Sequence, residues 1–380
     1  MLVVYSIVAS LYLYELGIIF AITICILLDK YLLFAGGIIM GLPSYSGLNL
    51  YEKYKKGIKN LITDVKGVKV GSVTLQNGNI NTGVTVVFPH EGNLFQDKVM
   101  AAAAILNGFG KSMGLMQIEE LGTIETPIVM TNTLSIGTAS TALTKYMLKQ
   151  NEDIGVTTGT VNCIVTECND GRLNDIRGLH VTEEDVLNAL NSPSEDFEEG
   201  AVGSGTGMCC LGLKGGLGSS SRIIEADGSE YTIGAIVMSN FGSSGNLTIG
   251  GDHIGLRIKE IQSMKKDEGS IIIIIATDIP LSERQLKRIA KRAAISLGRT
   301  GSYMGNGSGD VAIAFSTSNR VPHYSSSDII ETKMFFDDNI DKVFEASVEA
   351  VEEAIISSLY HAKTTVGFLE KEVKGLRDYL

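Results

Sequence analysis

The residues best placed to do chemistry lie where an apolar run, Tyr231-Thr232-Ile233-Gly234-Ala235-Ile236-Val237-Met238, gives way to Ser239-Asn240-Phe241-Gly242-Ser243-Ser244-Gly245-Asn246. A strand that ends on a glycine-flanked turn can present a hydroxyl, and Ser243 is that hydroxyl. Were the Gly242–Ser243 peptide bond to open, Ser243 would carry a free amine beside its own hydroxyl. Such an amine titrates at about pH 8, so a useful fraction is unprotonated at neutrality and can take the hydroxyl proton without a histidine. The same residues also make an ordinary turn between two strands. Upstream, Gly200-Ala201-Val202-Gly203-Ser204-Gly205-Thr206-Gly207-Met208 and Lys214-Gly215-Gly216-Leu217-Gly218-Ser219-Ser220-Ser221-Arg222 are glycine runs suited to close backbone approach or positive φ.

The elements that must position this turn read as alternating strands and helices. Residues 67–75 and 81–88 predict two strands around the turn Gln76-Asn77-Gly78-Asn79. Residues 97–106, with the run Ala101-Ala102-Ala103-Ala104, predict a short helix, and 136–149 a second. A strand region over 155–167 leads to Asn169-Asp170-Gly171, and Thr182 caps a helix running to about Asn191. Residues 222–239 carry two strands around Asp227-Gly228, and Ser270 through Thr277 form an unbroken apolar strand fit for a two-sided interior. From Ser282 a helix buries Leu286, Ile289, Ala290, Ala293 and Leu297, leaving Arg284, Lys287, Arg288, Lys291 and Arg292 on a solvated face. A strand over 310–316 and a long helix over 339–359 complete the pattern. Strands buried on both faces with helices outside require a layered α/β sandwich.

Other side chains could serve the same centre. Glu125, before Pro127 and the strand from Ile128, could pair with a substrate ammonium, or be a loop carboxylate in water. Thr277 and Asp278 end the apolar strand; Asp278 could cap the next helix or orient the Ser243 amine. An oxyanion needs backbone N–H groups or an amide, for which Asn132, Asn240 and the run 203–207, centred on Gly205, are candidates. His90, His180, His253, His323 and His361 are scattered without ligand spacing, so no metal is expected, and His253 reads as a structural polar residue. A Ser-His-Asp triad would have to assemble from distant positions, and no GxSxG elbow accompanies any serine. The glycine runs lack the strand–glycine–helix order of a nucleotide site, and no cofactor is expected.

Several ordered segments resemble the L-aminopeptidase/D-esterase family, the DmpA proteins and β-peptidyl aminopeptidases, over roughly residues 60–360. They are Ile62-Thr63-Asp64-Val65, Asn81-Thr82-Gly83-Val84-Thr85, Asn107-Gly108-Phe109-Gly110-Lys111, Glu125-Thr126-Pro127-Ile128, Thr131-Asn132-Thr133-Leu134-Ser135-Ile136-Gly137, Asn169-Asp170-Gly171, Ala276-Thr277-Asp278 and Arg299-Thr300-Gly301. The resemblance implies a four-layer αββα sandwich like that of N-terminal-nucleophile hydrolases, and self-cleavage at a Gly-Ser bond, here Gly242–Ser243. It implies an α chain, 40–242, and a β chain, 243–380, that stay associated, in a homotetramer. It further implies a serine aminopeptidase, amidase or esterase acting on small peptides, amino-acid amides or esters. Glu125 would recognise the substrate amine, with Asn132 beside it, and Thr277 and Asp278 would lie near the nucleophile. The family's hydroxyl–carboxylate spacing is Ser-x-Glu in some members, and Ala276 stands at its first position here. Leu211 stands where some relatives carry asparagine, leaving oxyanion donation to the backbone. An acyltransferase similar to the ArgJ ornithine acetyltransferases is the alternative, although those resemble threonine enzymes; a non-catalytic membrane-anchored relative is the other.

Composition frames these readings. With 380 residues, 44% hydrophobic, the chain can bury a large core. Its 43 acidic and 32 basic residues are intermixed at net −11, which argues against a nucleic-acid partner. Cys25, Cys163, Cys168, Cys209 and Cys210 show no CxxC pairing and suit a reducing, cytoplasmic compartment. Residues 1–39 differ, since Glu15 is the sole charge from Met1 to Leu28, enough apolar chain to cross a bilayer. Lysines 30, 53, 55, 56 and 59 would then hold the domain on the cytoplasmic side. The expectation adopted is different: Gly36-Gly37, encoded GGN-GGN, resembles a ribosome-binding sequence ahead of Met40, so translation starts at Met40 and the membrane is a partner only if residues 1–39 are genuine.

Overall fold

A computed structural model describes residues 48, 50–258, 268–324 and 326–380. The expectations for 1–39 and for a start at Met40 lie outside the described residues. Among those described, no helix is long and apolar enough to cross a membrane.

Two sheets carry the fold. The first orders β1 (Lys69–Asn77), β2 (Ile80–Phe88), β5 (Ile128–Asn132) and β6 (Ile164–Cys168) side by side. The second runs β4 (Thr123–Ile124), β3 (Asp97–Gly108), β12 (Gly307–Pro322), β11 (Glu268–Thr277), β10 (Ser229–Asn240) and β9 (Gly216–Ala226). All its neighbours are antiparallel except β11 and β12. Two-residue strands β7 (Cys209–Cys210) and β8 (Leu213–Lys214) form a separate hairpin.

Side-chain alternation stacks these sheets into four layers. Ile272, Ile274 and Ala276 of β11 face the first sheet, meeting Met130, Ile164 and Cys168, whereas Ile271, Ile273 and Ile275 face helices. Those helices are α4 (Glu283–Thr300) and α5 (Asp341–His361), and both sides of β11 are therefore apolar because both are interior. On the far side, Val84, Val86, Val129 and Val165 pack against α2 (Ile136–Gln150) and α3 (Glu183–Leu190). A short helix, α1 (Leu115–Leu121), precedes β4. The αββα sandwich is the expected one.

Most predicted elements appear with shifted ends. The β1–β2 and β9–β10 hairpins turn at Gly78-Asn79 and Asp227-Gly228. Thr182 caps α3 in a capping box with Asp185, and Ser282 caps α4 with Gln285. The segment predicted as helix over 97–106 is instead the interior strand β3, between β4 and β12. Ala101 and Ala103 face the first sheet while Ala102 and Ala104 face the helices, so the alanine run keeps both layers close to a strand buried on two sides. Of the strand region 155–167 only the part from 164 on is strand, in β6 (Ile164–Cys168).

A buried ion cluster joins β9 to α5. Arg222 is fully buried, with Nε 2.6 Å from Glu349 and a terminal nitrogen 2.6 Å from Glu353. Glu353 also meets Lys56 at 2.9 Å and the Asn60 amide at 2.8 Å. Burial alone would lower the Arg222 pKa and raise that of Glu353, but the opposite charges outweigh it and hold both groups ionised.

Candidate active site

The site is built at one end of the second sheet. β10 delivers Asn240, after which the backbone turns through Phe241 and Gly242 to Ser243, which is 6% exposed. Gly242 has φ 89°, and a Cβ there would lie 2.3 Å from Leu211 Cδ2. Leu211 is itself left-handed at φ 51°, and its N–H donates to the Phe241 carbonyl at 2.6 Å. Two causes thus demand glycine before Ser243: the backbone region and the leucine packed against it. Gly242→Ala is expected to slow scission of the 242–243 bond at least about tenfold, because a strained, displaced carbonyl costs over 1 kcal/mol. A time course of chain splitting on denaturing gels checks this; splitting at the native rate would refute it.

Ser243 Oγ stands 3.4 Å from the Tyr303 hydroxyl, and its carbonyl accepts from Asn246 N–H at 3.3 Å. Two strands across, β12 begins with Gly307-Ser308-Gly309-Asp310. Ser308 Oγ donates to Asp310 Oδ1 at 2.5 Å, and both residues are fully buried. The register joins them to the strand that leads to Ser243: Asn240 pairs with Ser270, Ser270 pairs with Gly309, and Ser270 Oγ accepts from Gly309 N–H at 3.3 Å. A hydroxyl and a carboxylate therefore share the sheet edge from which Ser243 projects. Sequence reasoning missed them, although Ser308-Gly309-Asp310 carries the Ser-x-acid spacing it sought elsewhere.

Thr277 and Asp278 need correction. Thr277 pairs with Ile233, seven residues before Asn240, which puts it about 23 Å along β10 from the site at about 3.3 Å per residue. Thr277 Oγ1 donates to Thr232 carbonyl at 2.7 Å, and Asp278 Oδ1 accepts Thr232 N–H at 2.7 Å. Burial raises the Asp278 pKa against those backbone hydrogen bonds. The pair anchors the start of β10, and Ser282, not Asp278, caps α4.

Glu125 also lies away from Ser243 within the chain, beyond the Ile128 end of β5, whereas the Asn132 end approaches the site. Its carboxylate is buried against Lys98 Nζ at 2.7 Å, Asn162 N–H at 2.7 Å and the Gln117 amide at 3.1 Å. Asn132 spends its side chain on structure: Oδ1 caps Leu134 and Ser135 N–H groups, and Nδ2 donates to Thr82 at 2.9 Å. Asn240 is fixed likewise, accepting from Cys209 N–H at 2.8 Å and donating to the Asn169 carbonyl at 3.0 Å. Gly205 N–H donates to Val202 carbonyl at 2.8 Å, so it has no free donor for an oxyanion. Its carbonyl accepts from Lys214, whose buried ammonium also reaches Met208 and Gly215 carbonyls at 2.7 Å each. Burial lowers the Lys214 pKa to about 8, and the cation binds the glycine loop beneath the Ser243 turn. Among the described residues no His, Cys, Asp and Glu group could hold a metal ion.

Helices on both outer faces of two stacked sheets, with Ser243 leaving the end of β10, fit a serine-type hydrolase of the N-terminal-nucleophile fold. The family model described as Peptidase family S58 matches residues 60–373, and the chain belongs to that family. The chain is 37% identical over 338 residues to the β-peptidyl aminopeptidase BapA of Sphingosinicella microcystinivorans, covering 82% of this chain and 84% of that protein. The L-aminopeptidase D-Ala-esterase/amidase of Ochrobactrum anthropi superposes with a TM-score of 0.80 at 36% identity, covering 88% and 97% of the two chains. A protein of Pyrococcus horikoshii OT3 superposes at 0.84 with 53% identity, covering 88% and 95%. The chain is accordingly an aminopeptidase, amidase or esterase of this family.

Proposed function

We propose that the Gly242–Ser243 bond breaks after folding and that Ser243, as the new terminus of a chain 243–380, is the nucleophile. Ser243 Oγ adds to the Gly242 carbonyl, the C–N bond breaks, and Gly242 becomes an ester on Oγ. Water then hydrolyses that ester, leaving a Gly242 carboxylate and a free Ser243 amine. In each later turnover this amine takes the hydroxyl proton as Oγ attacks a substrate carbonyl, and passes it to the leaving group. Water releases the acyl-enzyme. The buried Ser308–Asp310 pair supplies negative charge to the ammonium formed in that cycle. Substrates are peptides, amides or esters with an amino-terminal residue, in keeping with the named activities of the BapA and Ochrobactrum relatives.

The observation that carries this reading is the left-handed Gly242 held between Leu211 and a nearly buried serine hydroxyl. The fragments 40–242 and 243–380 remain together because β10 and β11 are neighbours in one sheet. Intact mass and amino-terminal sequencing of purified protein should find a fragment that starts at Ser243. An unbroken chain that hydrolyses amino-acid amides would disprove the mechanism.

A further inference from the structure

A cavity of about 520 Å³ opens beside the strand ends and takes no part in the proposed scission. Asn240, Ser270 and Gly307 bound it on the side of the nucleophile's strand, and Glu167, Arg172 and Lys371 on others. Glu167 is the penultimate residue of β6 and is 3% exposed. Its Oε1 accepts Lys111 N–H at 2.8 Å and its Oε2 accepts the Thr133 hydroxyl, so both hydrogen bonds come from neutral donors. A carboxylate taken out of water with only neutral donors gains strongly from a cation. Its place is tied to the catalytic edge by Gly110, where a Cβ would lie 3.5 Å from Glu167 Oε1 and 3.7 Å from Gly309 Cα. Glu125, the other candidate for an ammonium, already holds Lys98.

Resting on the assignment of Ser243 as nucleophile, we propose that this cavity seats a short peptide with both termini free. Its ammonium sits on Glu167 and its terminal carboxylate on Arg172 and Lys371. The volume falls in the range of small-ligand sites, and two or three residues span only about 7–11 Å when extended. Opposite charges within one small cavity select a zwitterion, and a guanidinium matches a carboxylate in bidentate geometry. The fit disfavours the interior of long chains, which offer neither charge.

Processed enzyme should be assayed on a matched pair, a dipeptide with a free carboxylate and its C-terminal amide. The free acid is expected to have a kcat/KM at least about tenfold higher, equivalent to about 1.4 kcal/mol. Arg172→Gln combined with Lys371→Gln should shrink that acid-to-amide ratio by about tenfold. Glu167→Gln should raise KM for both substrates by about tenfold or more, with kcat falling less. Equal turnover of acid and amide by the native enzyme, or an unaltered ratio in the double variant, overturns the carboxylate assignment. An unaltered KM in Glu167→Gln overturns the ammonium assignment. The native comparison decides the question even if a variant misfolds. Hydrolysis without charge discrimination refutes only this inference, whereas an unsplit chain that hydrolyses both substrates refutes the nucleophile assignment as well.

Discussion

Ser243→Ala is expected to give a chain that stays whole and loses activity by a factor on the order of 10⁵–10⁶, the scale on which removal of a serine nucleophile acts elsewhere. The loss is large because one residue supplies two functions. Without Oγ no ester forms at Gly242, so no amine is released, and no acyl-enzyme can form on a substrate. The fold should survive, since the hydroxyl makes only a 3.4 Å approach to Tyr303. Ser244→Ala, one residue on, should split normally, which fixes the register of the cut. Denaturing electrophoresis and amino-acid release from a small amide test the pair. Splitting between 242 and 243 in the alanine protein, or residual turnover near the native rate, would defeat the assignment.

The second large effect is on stability. Arg222→Met should cost about 3–5 kcal/mol, the usual consequence of stripping one partner from a buried ion cluster. Two carboxylates would be left in a site where the arginine is fully buried and Glu349 and Glu353 nearly so. Lys56 still neutralises Glu353 in part, so Glu349 bears most of the penalty. Adding Glu349→Gln to Arg222→Met should therefore recover part of the loss. Denaturant titration in the Ser243→Ala background keeps the molecule a single chain, as a two-state treatment requires. A loss under about 1 kcal/mol would mean that the cluster is hydrated or replaceable.

The parts of this molecule that could be read from its sequence are those decided by near neighbours. The Asp227-Gly228 hairpin, the Thr182 cap and the six-residue apolar core of β11 each depend on residues a few positions apart. The Ser243 turn belongs with them, because its strand, glycine and hydroxyl are contiguous. Over 97–106 an alanine run favours a helix locally, whereas here small side chains are needed to fit a strand between two layers. Thr277-Asp278 looked suitable as a strand end, but antiparallel pairing sends that end away from Asn240. The parallel neighbour β12 instead brings its beginning, Ser308-Gly309-Asp310, to the right edge. Only pairing across 60 or so residues distinguishes these two possibilities, and no local pattern encodes it. Glu125 shows the same dependence, since its partner Lys98 is contributed by a neighbouring strand.

The order of strands in the second sheet also governs when the enzyme can come alive. β11 and β12, made after the cut position, lie between β10 and β3, made before it. Separately synthesised halves would each present raw hydrogen-bonding edges and lack the other's centre, so fragment complementation should be poor where the intact gene succeeds. On the proposed mechanism, maturation then doubles as a proofreading step: a polypeptide that has not threaded its late strands into the early sheet has no Ser308–Asp310 pair at the Ser243 end of the sheet, and so lacks the site with which a freed amine would cut anything else.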